Sequence, residues 1–492
     1  MSSTASKPNL AELYTPESRR AVADADGRVL RASFQQLATA AEVIGDFAAA
    51  ALALIGAYSI YHLLELGKTV VYPVQSIVGS SLAFAFFFVI LLDRQGVYHT
   101  GSGMLRVAET ARILRVSVET FLLLLPVSIF SAHLISRLVL GIGFFLVPFM
   151  VISEKQMMFS IVRHLHSRGR GVRKAIIYGA GFTGKRVFSS LLRSRKVGIN
   201  PIYFVDDDEC LAGKDIFAHG YRRESSSQIL SGPVTSEMIR RTGADLVVVA
   251  IPSLAQEKMA AVAAAAKEAD AKLIYVPSQT VYEDAQVSYV DIDGILLATV
   301  DLPQHMPIYE RAKRLMDFLL SLIGIILLSP ILAVIALAIR MDSAGPAIFK
   351  QKRVGKDGRL FDIYKFRTMR VDAPQYGFSP TESVDPRITR LGRTLRKTSL
   401  DELAQLFNVL KGDMSLVGPR PEMPFIVEQY GPRVRGRLSV VPGITGLWQI
   451  SADRAYLIHE NPHYDLYYVR NRGFFMDLAI LLHTFIFAVK GV

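Results

Sequence analysis

The chain has 492 residues, 51% hydrophobic and 20% charged, and 56 Lys and Arg against 44 Asp and Glu give it a net charge of +12. The length predicts about three domains, and the hydrophobic share excludes a disordered or fibrous protein. The single cysteine, Cys210, excludes a disulfide framework and a cysteine-based zinc site. Ten of the excess positive charges lie between Arg311 and Val440. We therefore expect nucleic acid, anionic lipid or phosphorylated small molecules as partners there.

Residues 1–37 are polar and predict a flexible cytoplasmic tail. Residues 38–152 contain apolar runs of spanning length, because about 20 apolar residues cross a bilayer, and they predict four transmembrane helices. Lys and Arg concentrate between the second and third runs and after the fourth, so the positive-inside rule places both ends of this bundle in the cytoplasm. The runs cover residues 40–64, 73–92, 116–135 and 138–152.

Residues 153–305 alternate predicted strands and helices, which favours a doubly wound, parallel, Rossmann-like sheet. Gly179, Gly181 and Gly184 follow the first strand and precede a helix, and Asp206 ends the second strand. A dinucleotide-binding loop has this arrangement, because its glycines admit a pyrophosphate and its acid binds a ribose. A tight turn in a domain without a bound nucleotide has it as well, and the sequence leaves both interpretations open.

Residues 306–340 contain an uncharged run, 318–339, that is interrupted by Ser329 and Pro330. One interpretation is a fifth spanning helix. Basic residues on both flanks favour instead a re-entrant membrane helix that enters and leaves on one face. Pro330 would remove a helical hydrogen bond, and Ser329 would compensate for it. The domain that follows, residues 341–472, then stays on the cytoplasmic side, and the short apolar segment 473–492 predicts an interfacial helix.

Asp401 and Glu402 are adjacent carboxylates in the domain 341–472. Ser399 and Glu402 have the spacing of a capping box, which predicts a helix that opens at Ser399. The two acids either complement the helix dipole or act chemically: an ionised Asp attacks phosphoryl groups, and adjacent acids suit Mg²⁺. Nearby cations favour chemistry because they keep a carboxylate ionised. These cations are Arg387, Arg390, Arg393, Arg396 and Lys397.

Two further motifs are candidates for phosphate contact. The run Gly418-Pro419-Arg420-Pro421 is rigid and suits an arginine fork that binds phosphate; the alternative is a structural turn. Lys365 and Arg367 have the same side-chain parity on a predicted strand, which suits contact with an anion; the alternative is a solvated strand edge.

Taken together and in order, the motifs between residues 313 and 446 resemble those of the bacterial sugar transferases, the monotopic polyprenyl-phosphate phosphoglycosyl transferases. The whole layout resembles the large subgroup, to which undecaprenyl-phosphate glucose and galactose phosphotransferases belong. The motifs are Lys313-Arg-Leu-Met-Asp-Phe, Ser329-Pro330, Phe349-Lys-Gln-Lys-Arg-Val-Gly, Tyr364-Lys-Phe-Arg-Thr-Met, Ser399-Leu-Asp-Glu-Leu, the run Asn408 to Glu422, and Pro442-Gly-Ile-Thr-Gly.

The resemblance implies that hexose-1-phosphate passes from a UDP-hexose, glucose before galactose, to undecaprenyl phosphate, with release of UMP. This would be the first step of exopolysaccharide, O-antigen or capsule synthesis. The resemblance also implies a covalent phosphosugar on Asp401, assistance by Glu402, and Mg²⁺ held by both acids. Arg396 and Arg420 would contact the nucleotide sugar. The predicted substrate-binding residues are Arg396, Arg420, Lys365, Arg367 and Pro419.

The expected location is the bacterial inner membrane, with the catalytic domain on the cytoplasmic face. The expected partners are the UDP-sugar, undecaprenyl phosphate, membrane lipids and a second copy in a homodimer. The nucleic-acid interpretation weakens, because the positive charge lies beside a membrane segment. Two other functions fit parts of the sequence: a membrane-anchored NAD-dependent sugar-nucleotide epimerase or dehydratase, from the glycine motif, and a non-enzymatic assembly scaffold.

Overall fold

The computed structural model forms two compact units, Met1–Val281 and Tyr282–Val492. The residues that it describes are 16–66, 73–98, 106–130, 136–193, 198–217, 226–276, 286–292, 295–301, 306–373, 385–451 and 462–490.

The first unit begins with four long helices. They are α1 (Pro16–Leu63), α2 (Val74–Arg94), α3 (Arg106–Phe130) and α4 (Arg137–Ser167). α1 packs against α2 and α4, and α3 packs against the same two helices. Ala50 and Ala53 of α1 are fully buried with Phe84 and Phe88 of α2. Small residues on one helix thus make room for large ones on its neighbour, as is usual where helices associate in a membrane.

Three helices of this bundle are long and apolar enough to cross a membrane, in agreement with three of the predicted runs. They are Gln36–Leu63, Val74–Arg94 and Arg137–His166. The third predicted run lies in α3, but that helix starts ten residues earlier, at Arg106, and residues 131–135 lie outside the described part of the chain. These lengths and compositions indicate a membrane protein.

The predicted flexible tail is wrong for part of its length. α1 begins at Pro16, so residues 16–37 are helical, whereas residues 1–15 lie outside the described residues. The physical reason is that extending a nucleated helix costs little, and the segment is rich in Ala and Arg, which favour helices. α4 likewise continues to Ser167, fifteen residues beyond the predicted end of the last run.

The rest of the first unit is a six-stranded sheet with the order β3-β4-β2-β1-β5-β6. All pairings are parallel except that of β3 with β4. The strands are β1 (Arg173–Tyr178), β2 (Ile199–Asp206), β3 (Asp215–Phe217), β4 (Ser226–Ser231), β5 (Leu246–Val249) and β6 (Lys272–Tyr275), and the helices are α5 (Phe182–Arg193), α6 (Ser236–Thr242) and α7 (Gln256–Glu268). The predicted strand–helix alternation and parallel sheet are present.

Both faces of this sheet are covered. Along β1, Ile177 packs with Phe188 of α5 on one face, whereas Ile176 packs with Ile239 of α6 and Val262 of α7 on the other. Neighbouring residues of a strand point to opposite faces. The continuous apolar run of β1 therefore reflects burial on both sides, as parallel sheets require.

The second unit contains one long helix and a compact domain of short elements. A hairpin of β7 (Gln286–Ile292) and β8 (Ile295–Asp301) precedes α8 (Pro307–Asp342), and β9 (Ile348–Val354) pairs antiparallel with β10 (Leu360–Phe366). The remaining elements are α9 (Arg390–Lys397), α10 (Leu406–Lys411), β11 (Ser415–Val417), α11 (Pro424–Glu428), α12 (Pro432–Arg435), β12 (Gly443–Thr445), α13 (His463–Asn471) and α14 (Phe474–Lys490). β11 and β12 pair in parallel.

α8 is a single helix of 36 residues with Pro330 inside it. Proline cannot donate the hydrogen bond that the carbonyl four residues earlier would accept. That carbonyl belongs to Ile326, and Ser329 Oγ donates to it at 2.8 Å. The compensation predicted for the Ser-Pro pair is therefore confirmed at this carbonyl.

Asn408 lies in α10, and its side chain joins α10 to β10. Its side chain is fully buried, accepts from the Tyr364 N–H at 2.9 Å and donates to the Asp362 carbonyl at 2.7 Å. An unsatisfied buried backbone group costs about 1–3 kcal/mol. The two hydrogen bonds of this amide therefore fix the position of α10 against β10.

We expect Asn408→Ala to lower the free energy of unfolding by about 3 kcal/mol, because it leaves two backbone groups of β10 without partners. Urea unfolding followed by tryptophan fluorescence measures this, since Trp448 is the single tryptophan. The control is Asn471→Ala, whose amide donates to Tyr467 within its own helix. Equal losses for the two variants would contradict the assigned role of Asn408.

Candidate active site

The predicted acidic pair lies in a 3-10 helix, Leu400–Gln405, between α9 and α10. Asp401 is buried and Glu402 is partly buried. Ser399, just before them, has a left-handed backbone with φ 56°, which a non-glycine residue seldom adopts. This turn redirects the chain after α9, so that both carboxylates face the cations of neighbouring elements.

The predicted capping box is wrong. Ser399 makes no side-chain capping bond; instead its carbonyl accepts from the Glu402 N–H at 3.2 Å. The Glu402 side chain turns away to Lys365 and Arg420. Two hydrogen bonds from cationic donors stabilise the Glu402 carboxylate more than one bond from a neutral backbone N–H, which is why the local motif does not form.

Glu402 joins two cations from distant parts of the sequence. Its Oε1 accepts from Lys365 Nζ at 2.8 Å and from Arg420 Nη2 at 3.2 Å. Burial alone would raise the pKa of Glu402, but the charges and hydrogen bonds of Lys365 and Arg420 outweigh it and lower the pKa to about 2. Glu402 therefore stays ionised at any working pH.

The pKa of Asp401 shifts in the opposite direction. Burial raises its pKa above the ordinary value, Lys365 and Arg396 oppose that shift, and the Glu402 charge adds to it. Among the described residues, no side chain donates a hydrogen bond to the Asp401 carboxylate, and its own backbone N–H lowers its pKa through a hydrogen bond. Of the two acids, Glu402 is bonded to two cations, whereas Asp401 has no hydrogen-bonded side-chain partner.

Arg396 lies on α9 and interacts electrostatically with Asp401. Its Nε donates to Thr368 Oγ1 at 2.9 Å, which holds the guanidinium in place. Burial lowers the pKa of Arg396, and Asp401 and Asp385 oppose that shift. The structure thus brings Arg396 near enough to Asp401 for the two charges to interact.

Arg420 lies in the turn that directly follows β11 and packs against the start of β12. A side chain at Gly418 would crowd the Val441 carbonyl at 2.5 Å, and the Pro419 carbonyl accepts from the Gly443 N–H at 2.9 Å. Pro419 therefore anchors the turn with its backbone. The Arg420 guanidinium lies 5.9 Å from the centre of the Trp448 ring, and it lines an open cleft together with Lys365 and Gln405.

The structure separates Arg367 from Lys365. β10 ends at Phe366, so the two residues no longer share a strand face. Arg367 is buried, and its Nη2 donates to the carbonyl and the hydroxyl of Ser343 at 2.6 and 2.8 Å. It fastens the chain that follows α8 to the domain, whereas Lys365 reaches the acidic pair.

Arg353 of β9 belongs to the same cleft, although it is not in the predicted substrate-binding set. It lies 3.9 Å from Glu422, and it donates to Gln351 Oε1 at 2.8 Å. Burial first, and then the Arg420 charge, lower the pKa of Arg353 to about 10. The basic pair Lys352-Arg353 was the one sequence feature that could have indicated a role for Arg353 in binding an anion. A basic pair on a strand fits a solvated strand edge equally well.

The donor set for the predicted Mg²⁺ is small. The described residues contain no group of three or more His, Cys, Asp and Glu side chains arranged for a metal. Mg²⁺ needs only one or two carboxylates where substrate phosphates complete its coordination. Asp401 offers a free carboxylate, whereas one Glu402 oxygen already serves two cations. The residues fit such an ion with Asp401 as the main protein ligand.

In the first unit, the predicted nucleotide-binding residues contact one another. Gly179 has φ +107°, and a side chain at Gly184 would collide with the Gly179 carbonyl; both glycines are needed for the turn itself. Asp206 Oδ2 accepts from the Ala180 N–H at 2.7 Å. Gly181 has open space around it. The carboxylate predicted for a ribose thus caps the glycine loop.

Two family models match the chain. Residues 308–491 match the family described as bacterial sugar transferase, and residues 94–277 match the family described as CoA-binding domain. The undecaprenyl-phosphate galactose phosphotransferase of Salmonella typhimurium is 31% identical over 350 residues, which are 66% of this chain and 70% of that protein.

Shorter matches have higher identity. A UDP-N-acetylgalactosamine-undecaprenyl-phosphate N-acetylgalactosaminephosphotransferase from Aeromonas hydrophila is 43% identical and covers 36% of this chain. A UDP-glucose:undecaprenyl-phosphate glucose-1-phosphate transferase from Klebsiella pneumoniae is 39% identical and covers 43%. The chain spans about half the length of these two relatives, 44% and 47%. With the longer Salmonella match and the family match across the Asp401 site, they show that the chain belongs to the bacterial sugar transferase family.

Proposed function

We propose that the protein transfers hexose-1-phosphate from a UDP-hexose to undecaprenyl phosphate and releases UMP, at the start of exopolysaccharide, O-antigen or capsule synthesis. The observation that carries this proposal is the contrast between the two acids. Glu402 is held by Lys365 and Arg420, whereas Asp401 is next to Lys365 and Arg396 with a carboxylate that no side chain hydrogen-bonds. Relatives named for this kind of transfer support it. Glucose is our first choice of sugar and galactose the second.

In the first step, a carboxylate oxygen of Asp401 attacks the sugar-bearing phosphorus of the UDP-hexose. The new bond joins that oxygen to phosphorus, and the phosphoanhydride bond breaks, so that UMP leaves with the bridging oxygen and its electron pair. Lys365, Arg396 and Arg420 balance the negative charge on the phosphoryl oxygens. Such transfer depends mainly on positioning and charge stabilisation, which a rigid set of cations supplies.

In the second step, a phosphate oxygen of undecaprenyl phosphate attacks the same phosphorus. The bond to Asp401 breaks, the carboxylate is restored, and the hexose-1-phosphate is joined to the lipid. A phosphoanhydride forms in place of the one that was broken, so no oxidant or reductant is required. Asp401, with Glu402, would hold a Mg²⁺ ion, which would supply further positive charge to the diphosphate.

We also propose that α8 is re-entrant and that the catalytic domain lies on the cytoplasmic face of the inner membrane. In its first half, Arg314 donates to the Val409 and Leu410 carbonyls at 2.6 and 2.9 Å. In its second half, Ile335 and Ile339 join the core of the same domain. A polar domain cannot lie on both sides of a bilayer, so contact with both halves supports entry and exit on one face.

The middle of α8 is suited to lipid. Side chains between its two anchored halves are exposed and apolar, including Ile326 at 62% and Leu327 at 72%. A large exposed apolar surface marks a binding or membrane region. Together with the basic flanks, this surface would bring the head group of undecaprenyl phosphate toward the domain that carries Asp401.

Replacing the proposed nucleophile tests the function directly. We expect Asp401→Asn to lower UMP release from UDP-glucose by at least about 10³-fold, because the amide cannot form the covalent intermediate. Mass spectrometry of the wild-type protein with UDP-glucose alone should show an added hexose phosphate, which Asp401→Asn lacks. Asp413→Asn is the control and should keep both signals. An adduct of unchanged yield in Asp401→Asn would refute the assignment.

The pH dependence should report Asp401. Burial raises the pKa of Asp401, and the Lys365 charge reduces the size of this shift. Only the ionised carboxylate attacks, so the single-turnover burst of UMP should disappear as pH falls through this pKa. Lys365→Met removes a lowering influence and should move the acid midpoint to higher pH. Lys352→Met, whose ammonium is exposed and pairs with Asp362, should not move it. A Lys365→Met midpoint that shifts downward would count against Asp401 as the titrating group.

Cysteine labelling tests the re-entrant helix. In a Cys210→Ser background, Ile308→Cys and Met341→Cys place thiols at the two ends of α8, where the native side chains are 84% and 80% exposed. Both should react with an impermeant maleimide only in inside-out vesicles. Leu66→Cys, at the predicted outer end of α1, should react only in right-side-out cells. Labelling of the two α8 ends from opposite sides would establish a spanning helix.

A further inference from the structure

One face of α13 lies behind the loop that carries Arg420. Asp465 and Tyr468 are three residues apart on this helix and therefore on the same side of it. Both are buried, with exposures of 1% and 2%. Tyr468 donates to the Val417 carbonyl at 3.2 Å, which is the last residue of β11 before the loop. α13 thus holds the start of the loop with one side chain.

Asp465 is connected to Arg420 of the same loop through Arg437, which bonds to both residues. Arg437 is 2% exposed, and its Nη2 donates to Asp465 Oδ2 at 2.5 Å and to the Arg420 carbonyl at 2.7 Å. Tyr430 accepts from its other terminal nitrogen. The planar guanidinium binds all three partners in fixed directions, which an ammonium group on a flexible stem cannot reproduce.

The same helix is tied to the membrane segment. The single hydroxyl proton of Tyr468 is shared between the Val417 carbonyl and Asp477 of α14, whose carboxylate lies 2.7 Å from the same hydroxyl. Asp477 also accepts from Tyr309 and Lys313 of α8, each at 2.7 Å. The Arg420 loop is therefore connected to the first turns of α8 by direct hydrogen bonds. The path comprises only side chains that are buried or nearly so.

A buried ion pair is a costly way to join two elements, because desolvating two charges offsets most of their attraction, and apolar residues of similar volume often stabilise as well. The directed bond from Arg437 to the Arg420 carbonyl is something that an apolar pair would not supply. Arg420 must keep its guanidinium within 3.2 Å of Glu402, and small displacements of a positioned group lower rates steeply.

We propose that Arg437 and Asp465 are positioning residues: they fix the Arg420 backbone so that its guanidinium stays on Glu402 and on the diphosphate of the donor. This inference rests on the proposed function. Neither residue touches the reacting atoms, and their effect on turnover passes through Arg420 alone. Loss of either should weaken binding of the UDP-hexose more than it slows the chemical step.

A double-mutant cycle tests this route. We expect Arg437→Lys to lower kcat/KM for UDP-glucose by about 10-fold, mainly through KM, and to have almost no further effect in an Arg420→Ala background. Arg472→Lys is the matched control, because Arg472 bonds the Val469 carbonyl and Glu310 instead; it should leave KM unchanged. An equal loss in both backgrounds, or no loss in either, would overturn the proposal. If Arg437→Lys does not fold, Asp465→Asn takes its place with the same expected outcome.

A second readout does not depend on activity. Trp448 is the single tryptophan, and its ring lies 5.9 Å from the Arg420 guanidinium, so its emission reports the position of Arg420. Arg437→Lys should shift this emission in the same direction as Arg420→Ala, and Arg472→Lys should not. Absence of UMP release from the wild-type protein would refute the proposed function alone. Unchanged emission in Arg437→Lys would refute the positioning role.

Discussion

The Glu402 carboxylate is the point on which the candidate site depends. Lys365 comes from β10 and Arg420 from the turn between β11 and β12, and the two cations would repel each other without an anion between them. One oxygen of Glu402 accepts from both, so three separate elements meet at a defined distance. Glu402 balances only one of these two positive charges, so a net positive charge remains beside Asp401, whose raised pKa reflects its burial.

The long helix α8 sets where this site lies. Its two halves are anchored on one domain by different means: Arg314 makes hydrogen bonds to the end of α10, and Ile335 and Ile339 pack in an apolar core. Exposed apolar side chains such as Ile326 and Leu327 lie between these anchors. The candidate site thus belongs to the same domain that holds both halves of α8, a helix whose middle is exposed and apolar.

The α/β domain of the first unit has a different relation to its motif. Its glycine loop meets the spacing of a nucleotide-binding turn, yet the polar groups around it bond to one another, with Asp206 on the Ala180 N–H. Gly179 and Gly184 are explained by the turn and by the close approach of α5 to β1. A short motif of this kind specifies a backbone shape, and that shape is compatible with a bound nucleotide or with none.

Composition, apolar run length and motif order were enough to predict three of the four spanning runs, the parallel sheet and the family, because each of these leaves a pattern along the chain. The sequence could not predict that Glu402 bonds to Lys365 and Arg420 instead of forming the capping box, because these partners lie 37 and 18 residues away. It could not separate Arg367 from Lys365 either, because side-chain parity holds only while the strand lasts, and β10 ends between them. The pairing of Arg437 with Asp465 had no sequence signal. Which charges neutralise each other, and which carboxylate remains free, was decided only when folding brought distant residues within hydrogen-bond distance.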